Sequence, residues 1–196
     1  MEFVLRRKPA LDRLAVFPGA FNPPTRAHQA MALAALAHAD EVVLTLSTRM
    51  PHKSMDPAEV EQRLAWMRLL AEDDPRISVA LCDAGLFVDM AREARTAAGV
   101  ERVSIVCGRD AAERALLWDY GDLPGFGEQL SEFTLLVAPR LGKIEVGPTL
   151  AGRIEHLDLE EQFQALSSTE ARQRMEAGER WEDLVPARIA ARLIRR

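Results

Sequence analysis

Short apolar runs alternate along this chain with longer stretches in which apolar residues recur every three or four positions. Leu14-Ala15-Val16-Phe17, Val42-Val43-Leu44-Thr45-Leu46, Ile77-Ser78-Val79-Ala80-Leu81, Val103-Ser104-Ile105-Val106-Cys107 and Thr134-Leu135-Leu136-Val137-Ala138 have the length and β-branched content of strands buried on both faces. Ile154-Glu155-His156-Leu157 reads as a short edge strand. Between them lie helical patterns. One runs from Ala27 to Ala39, with apolar Met31, Leu33 and Leu36. A second starts at Asp56-Pro57-Ala58-Glu59, where a cap, a proline at the first helical position and a glutamate three residues past the cap coincide, and continues through Leu64, Met67 and Leu70. Further helices are predicted from Val88 to Ala98 (stopped by Gly99), from Ala111 to Leu117, from Ser168 to Ala177 (stopped by Gly178) and from Pro186 to the end. The glycine-rich stretch from Gly121 to Gly127 reads as a loop.

Strand–helix alternation of this kind predicts an α/β fold: a doubly wound parallel sheet with helices on both faces. The chain has 196 residues and no linker or repeat, which suits one domain over 1–196, with a core of about 13–157 and a small C-terminal helical segment of about 168–196. In such sheets ligands bind beyond the carboxyl ends of the strands, where the strand order reverses. With the first and fourth predicted strands flanking that point, the loop Pro18 to Thr25 and the turn Gly108-Arg109-Asp110 face one crevice.

Composition narrows the class. The chain is 48% hydrophobic and 28% charged with a formal net charge of -5, an ordinary globular balance without the broad basic footprint of a nucleic-acid binder. The basic end, Arg192 to Arg196, reads as a helix C-terminus complemented by cations. Neither a secretory signal nor an apolar run long enough to span a membrane is evident. Cys82 and Cys107 follow apolar runs and read as buried thiols of a reducing compartment, not as a disulfide or metal site. The expectation is a cytoplasmic protein with small-molecule partners, no nucleic acid and no membrane; a homo-oligomer is left open.

Two short motifs carry the chemistry. The first is Pro18-Gly19-Ala20-Phe21-Asn22-Pro23-Pro24-Thr25-Arg26-Ala27-His28. Gly19 allows close backbone approach, the prolines stiffen the turn, Thr25 is placed to cap the next helix, and His28 follows one turn later. The amides of that helix start attract anions. The second is Ser167-Ser168-Thr169-Glu170-Ala171-Arg172, in which Ser167 and Glu170 fit a capping box and Arg172 can fork onto a phosphate. Each alone is most often a helix cap; the ordered pair suggests an enzyme that holds a nucleoside triphosphate from both sides.

The pair resembles the HxGH-type nucleotidyltransferase superfamily, and within it the nicotinate and nicotinamide mononucleotide adenylyltransferases. Other stretches look similar to that family: Pro51-His52-Lys53, Gln62-Arg63-Leu64-Ala65-Trp66-Met67, Gly108-Arg109-Asp110 followed by Trp118, and Gly178 to Pro186. The likeness runs from about residue 14 to 194. It implies a Rossmann-like fold and transfer of AMP from ATP to a mononucleotide with release of pyrophosphate, a step of NAD biosynthesis. It further implies nucleotide binding by Gly19, Ala20, Phe21, His28, Gly108, Asp110, Ser167, Ser168, Thr169 and Arg172. Catalytic work would fall to His28, Thr25, Arg172 and Lys53, and acceptor binding to His52, Trp118 and Asp89.

No protein metal site is expected, and Mg²⁺ would ride on the ATP phosphates. Arg63 reads as a helix-surface residue, and His38 and His156 as structural or solvent-facing. The chain departs from the family at Pro18, Asn22 and Ala27, and at Gly85 to Met90, where of the nicotinate enzymes' usual Tyr-Thr-x-(Asp/Glu)-Thr only Asp89 is kept. The acceptor therefore stays open between nicotinate mononucleotide, nicotinamide mononucleotide and another phosphorylated group such as phosphopantetheine, FMN or a CTP-dependent sugar or alcohol phosphate. A nucleotide-binding regulator without turnover is the alternative of another class.

Overall fold

A computed structural model describes residues 1–48, 56–139, 142 and 144–194. The described elements run β1 (Glu2–Leu5), β2 (Arg13–Pro18), α1 (Arg26–Ala35), β3 (Glu41–Ser47), α2 (Pro57–Ala71), β4 (Ile77–Cys82), α3 (Phe87–Ala98) and β5 (Arg102–Gly108). They continue through α4 (Arg109–Leu117), α5 (Phe126–Gln129), β6 (Thr134–Ala138), β7 (Ile154–His156), α6 (Glu161–Gln164), α7 (Ser168–Ala177), a short 3₁₀ turn (Glu182–Leu184) and α8 (Ala187–Ile194).

The strands form one seven-stranded sheet in the order β1-β4-β3-β2-β5-β6-β7. All neighbours are parallel except β1, which pairs antiparallel with β4. The central strands are buried on both faces, and their alternate side chains feed two separate cores. Ala15 and Phe17 of β2 point to the face covered by Met31 of α1, Leu64 and Met67 of α2 and Ile189 of α8. Leu14 and Val16 point to the other, covered by Val88 and Ala91 of α3, Ala112 of α4 and Phe126 of α5. The doubly wound α/β sheet expected from the sequence is thus the observed one, with β2 and β5 adjacent at its reversal.

Local chemistry sets most boundaries as the sequence reads. Asp56 Oδ1 accepts from the Ala58 amide at 2.8 Å to start α2, with Pro57 in the first turn. Gly99 and Gly178 close α3 and α7 in the left-handed region, at φ 69° and 68°. Other boundaries differ. The helix expected to reach Ala39 ends at Ala35, and the next residues turn so that Leu36 and Ala39 still reach the core. The predicted loop at Gly121–Gly127 gives way to α5 from Phe126, whose ring is buried. Both cysteines are buried and free, and burial pushes each thiol up to about 12.

Strand β1 has no counterpart in the apolar pattern, because it lies at the sheet edge and is only half-buried. The segment after it is anchored instead by a buried carboxylate. Glu41, at the start of β3, is fully buried. It takes a bidentate pair from Arg6 (Nη2 at 2.8 Å, Nε at 3.0 Å), the Ala10 amide at 2.7 Å and the Ser78 hydroxyl at 2.5 Å. A buried charge persists when its lone pairs are filled in this way. Glu41→Ala should therefore lower unfolding stability by about 3 kcal/mol, since it strands the Arg6 cation. Ser78→Ala should lower it by only about 1 kcal/mol. Urea denaturation of both variants checks the ratio.

Candidate active site

Beyond the carboxyl ends of β2 and β5 lies a cleft of about 450 Å³. Pro18 and Gly19, Ala27 and His28, Cys107 and Gly108, and Ser167 and Ser168 line one part of it, and Phe17, Met31, Phe87, Leu159, Phe163 and Leu166 form an apolar wall. No charged side chain lines it among the described residues. Its polarity comes from uncharged side chains, His28, Gln164, Ser167 and Ser168, and from backbone. Helices α1, α4 and α7 begin at its rim, with caps at Thr25, Gly108 and Ser167. Each leaves first-turn amides without intrahelical partners and puts a positive dipole end at the cleft. Three such ends around an uncharged cavity favour an anion with several phosphoryl groups.

His28 and Cys107 are the titratable side chains in this lining, and burial holds the Cys107 thiol protonated. Nδ1 of His28 lies 3.1 Å from the Thr25 amide and 2.8 Å from Thr25 Oγ1. The amide must donate, so Nδ1 accepts and the proton of the neutral ring sits on Nε2. Phe17 stacks on the ring at 5.9 Å between centroids, and Phe21 meets it tilted at 5.2 Å. This apolar jacket desolvates the imidazolium and lowers the pKa to about 4, so the ring is neutral near pH 7. Thr25, fully buried and outside the cleft lining, spends its hydroxyl on His28.

The two motifs, far apart in the chain, are in contact. Ser168 Oγ donates to the Pro23 carbonyl at 2.8 Å, and Arg172 Nη1 to the Asn22 carbonyl at 2.6 Å. Ser167 Oγ caps α7 by accepting from the Glu170 amide at 3.1 Å. The loop between β2 and α1 is unusual in itself. Its Asn22–Pro23 peptide bond is cis and Phe21 sits at φ 46°. A bulky residue in that region costs roughly 1–2 kcal/mol and persists where its surroundings hold it. The Phe21 ring also explains Gly19: a Cβ there would meet that ring at 3.0 Å. The Gly19 amide donates to the Thr45 carbonyl at 3.1 Å, so this glycine contributes close packing while its amide serves the sheet.

Arg63 corrects the surface assignment. It is only 8% exposed, and its Nη1 lies 3.4 Å from the Ala20 carbonyl, while Nη2 pairs with Glu59 at 3.3 Å. His38 pairs with Glu155 at 3.0 Å on a half-exposed surface, away from the cleft.

Asp110 stands in the first turn of α4, between the lining residues Gly108 and Ala111, and Thr169 in the first turn of α7. Trp118 is not a core aromatic: it is 65% exposed just past α4, and does not line the cleft. Asp89, in the first turn of α3, pairs with Arg92 at 3.3 Å and borders a different groove with Leu123 and Pro124. His52 and Lys53 lie outside the described residues. The apolar wall was missed by motif reading. Phe87 and Phe163 carry no motif signal, and α6 is a single turn held by Arg26, whose guanidinium lies 5.3 Å over the Phe163 ring. Among the described residues no group of three or more His, Cys, Asp or Glu is placed to hold a metal ion. No described helix is long and apolar enough to cross a membrane.

A family model, Cytidylyltransferase-like, matches residues 16–174, from within β2 to within α7, and so takes in both motifs. The chain belongs to the Cytidylyltransferase-like family. Among its relatives, the probable nicotinate-nucleotide adenylyltransferase of Gloeobacter violaceus is 27% identical over 94% of this chain and 95% of its own length. The phosphopantetheine adenylyltransferase of Phocaeicola vulgatus is 38% identical over 80 residues, 41% of this chain. That match spans about half of the relative's length, 51%. Among solved structures, the Plasmodium falciparum nicotinic acid mononucleotide adenylyltransferase complexed with NaAD superposes with a TM-score of 0.69 at 14% identity, covering 94% of this chain and 95% of that one. It has the same fold. The family-level resemblance of the two motifs is thus supported across the sheet that joins them.

The partly buried ring of His28 links acidity to stability. Its pKa is 6.5 in the unfolded chain and about 4 in the fold, so between these values the unfolded state binds more protons. The contribution is complete above pH 6.5 and is lost as pH falls toward about 4. Between pH 7 and pH 5 the protein should lose roughly 1–2 kcal/mol more than a His28→Asn variant. Urea midpoints at both pH values measure the difference, and equal losses would remove the burial argument.

Proposed function

We propose that this chain transfers AMP from ATP to nicotinate mononucleotide and releases pyrophosphate. The observation that carries the reading is the convergence of three helix N-termini and a neutral histidine on one uncharged cleft. The acceptor's phosphate oxygen attacks the α-phosphorus in line. One P–O bond forms, the bond to the β-phosphate oxygen breaks, and the electron pair leaves with pyrophosphate. No side-chain nucleophile is needed, and catalysis is positioning and charge stabilisation.

Thr25 holds Nδ1 of His28, which leaves the Nε2 proton to hydrogen-bond a phosphoryl oxygen as charge grows. The α1, α4 and α7 amides receive the rest of the triphosphate, with Ser167, Ser168, Thr169, Gly108 and Asp110 around it. Arg172 holds the phosphate loop through Asn22 and keeps its remaining N–H groups for phosphate or for Thr169, whose hydroxyl accepts at 3.3 Å. Mg²⁺ would come with the triphosphate as its counter-ion and neutralise its charge. Lys53 is assigned to the reacting phosphates, and His52, Trp118 and Asp89 to the acceptor.

The full-length match to the Gloeobacter violaceus protein supports nicotinate mononucleotide as acceptor. A second reading, phosphopantetheine, has its own support in the higher local identity to the Phocaeicola vulgatus protein and in the atypical Leu86–Met90 segment. Pyrophosphate release from ATP and CTP with nicotinate mononucleotide, nicotinamide mononucleotide, phosphopantetheine and FMN decides between them. The expected result is selective release with ATP and nicotinate mononucleotide. Binding of ATP with no release on any acceptor would favour a regulator instead. His28→Ala should lower turnover by about 10²–10³-fold with the fold intact by circular dichroism; unchanged turnover would remove His28 from the mechanism.

A further inference from the structure

We infer that Arg63 of α2 is a positioning residue for the phosphate loop, gripping it on a second flank; the inference rests on the triphosphate reading above. The starting observation is a misplaced charge. Arg63 lies beside Leu64, Trp66 and Met67 on the buried side of α2, and is itself 8% exposed. Such a position ordinarily takes an apolar side chain, because a guanidinium there must find acceptors for its donors. One partner, Glu59, is a local i,i+4 pair with a half-exposed carboxylate. A pair of that kind forms on helix surfaces and does not require burial. The other partner is the Ala20 carbonyl, 43 positions away in sequence at 3.4 Å.

Ala20 precedes Phe21, the residue held at φ 46°. On the far side of Phe21, α7 takes the next two carbonyls, Asn22 through Arg172 and Pro23 through Ser168. The strained residue is therefore clasped from both flanks, by α2 before it and by α7 after it. Its ring packs against His28 at 5.2 Å, so a loop that relaxes at Ala20 carries the jacket of His28 with it. The grip of Arg63 acts on the histidine and the loop, not on substrate.

The test compares Arg63→Met with Arg63→Lys in the full chain. Methionine fills the space with an apolar chain, and Glu59, half-exposed, stays solvated when its partner is removed, so little stability is lost with the pair. Arg63→Met should thus keep its thermal midpoint while kcat for pyrophosphate release falls about 10-fold and the affinity for α,β-methylene-ATP, read by calorimetry, falls about 5-fold. Arg63→Lys, able to reach one carbonyl, should return kcat to within about 3-fold of the parent. The control Glu59→Gln should leave kcat unchanged. Parent-like kcat and analogue affinity in Arg63→Met would overturn the role of Arg63 and leave the proposed function standing. Loss of the thermal midpoint in Arg63→Met, with kinetics that Arg63→Lys does not restore, would show a merely structural residue. A parent protein that neither binds the analogue nor releases pyrophosphate would overturn the proposed function and this inference together.

Discussion

Two hydrogen bonds carry the organisation of this site: Ser168 to the Pro23 carbonyl and Arg172 to the Asn22 carbonyl. They join the start of α7 to the loop that follows β2, and so bring together segments that lie at opposite ends of the sequence. They add to the docking of α6 against α1 and to the packing of Ala171 on Leu184 and Val185 in fixing α7 at the cleft. With them the loop can hold Phe21 in a backbone region that a bulky side chain avoids. The sheet supplies the base, through the Gly19 amide on Thr45, and α2 supplies the opposite flank through Arg63.

The electrostatics follow from that arrangement. The cleft attracts an anion without charged side chains among its described lining residues, since three helix starts aim partial positive charge at it. An arginine-lined cleft would bind phosphates strongly in the ground state. Fixed amide dipoles and a neutral imidazole with one defined N–H cost little reorganisation when charge moves toward a leaving group. The aromatic jacket of Phe17 and Phe21 serves both ends: it orients the ring and keeps it uncharged.

Family membership and substrate separate cleanly here. The family model spans residues 16–174 and so takes in the loop after β2 and the starts of α4 and α7, the backbone segments that line the cleft. Trp118 is exposed and lies outside that lining, and a relative at 27% identity carries less weight for such side chains than for the fold.

The sequence by itself determined the periodic elements and the direction of the site. Fully buried strands and capped helices are written in local patterns of apolar residues, proline and glycine. Strand–helix alternation then places the two loops that matter at one end of the sheet. The Thr25–His28 spacing was legible for the same reason: one helical turn joins them. The tertiary structure alone decided what depends on contacts between distant segments. The edge strand β1 and its Glu41 anchor leave no period in the sequence, because their stability comes from pairing across the fold. The burial of Arg63, the exposure of Trp118 and the distance of Asp89 from the cleft likewise depend on what packs above each residue. So does the pKa of His28, for a motif names a histidine but only its neighbours decide its charge.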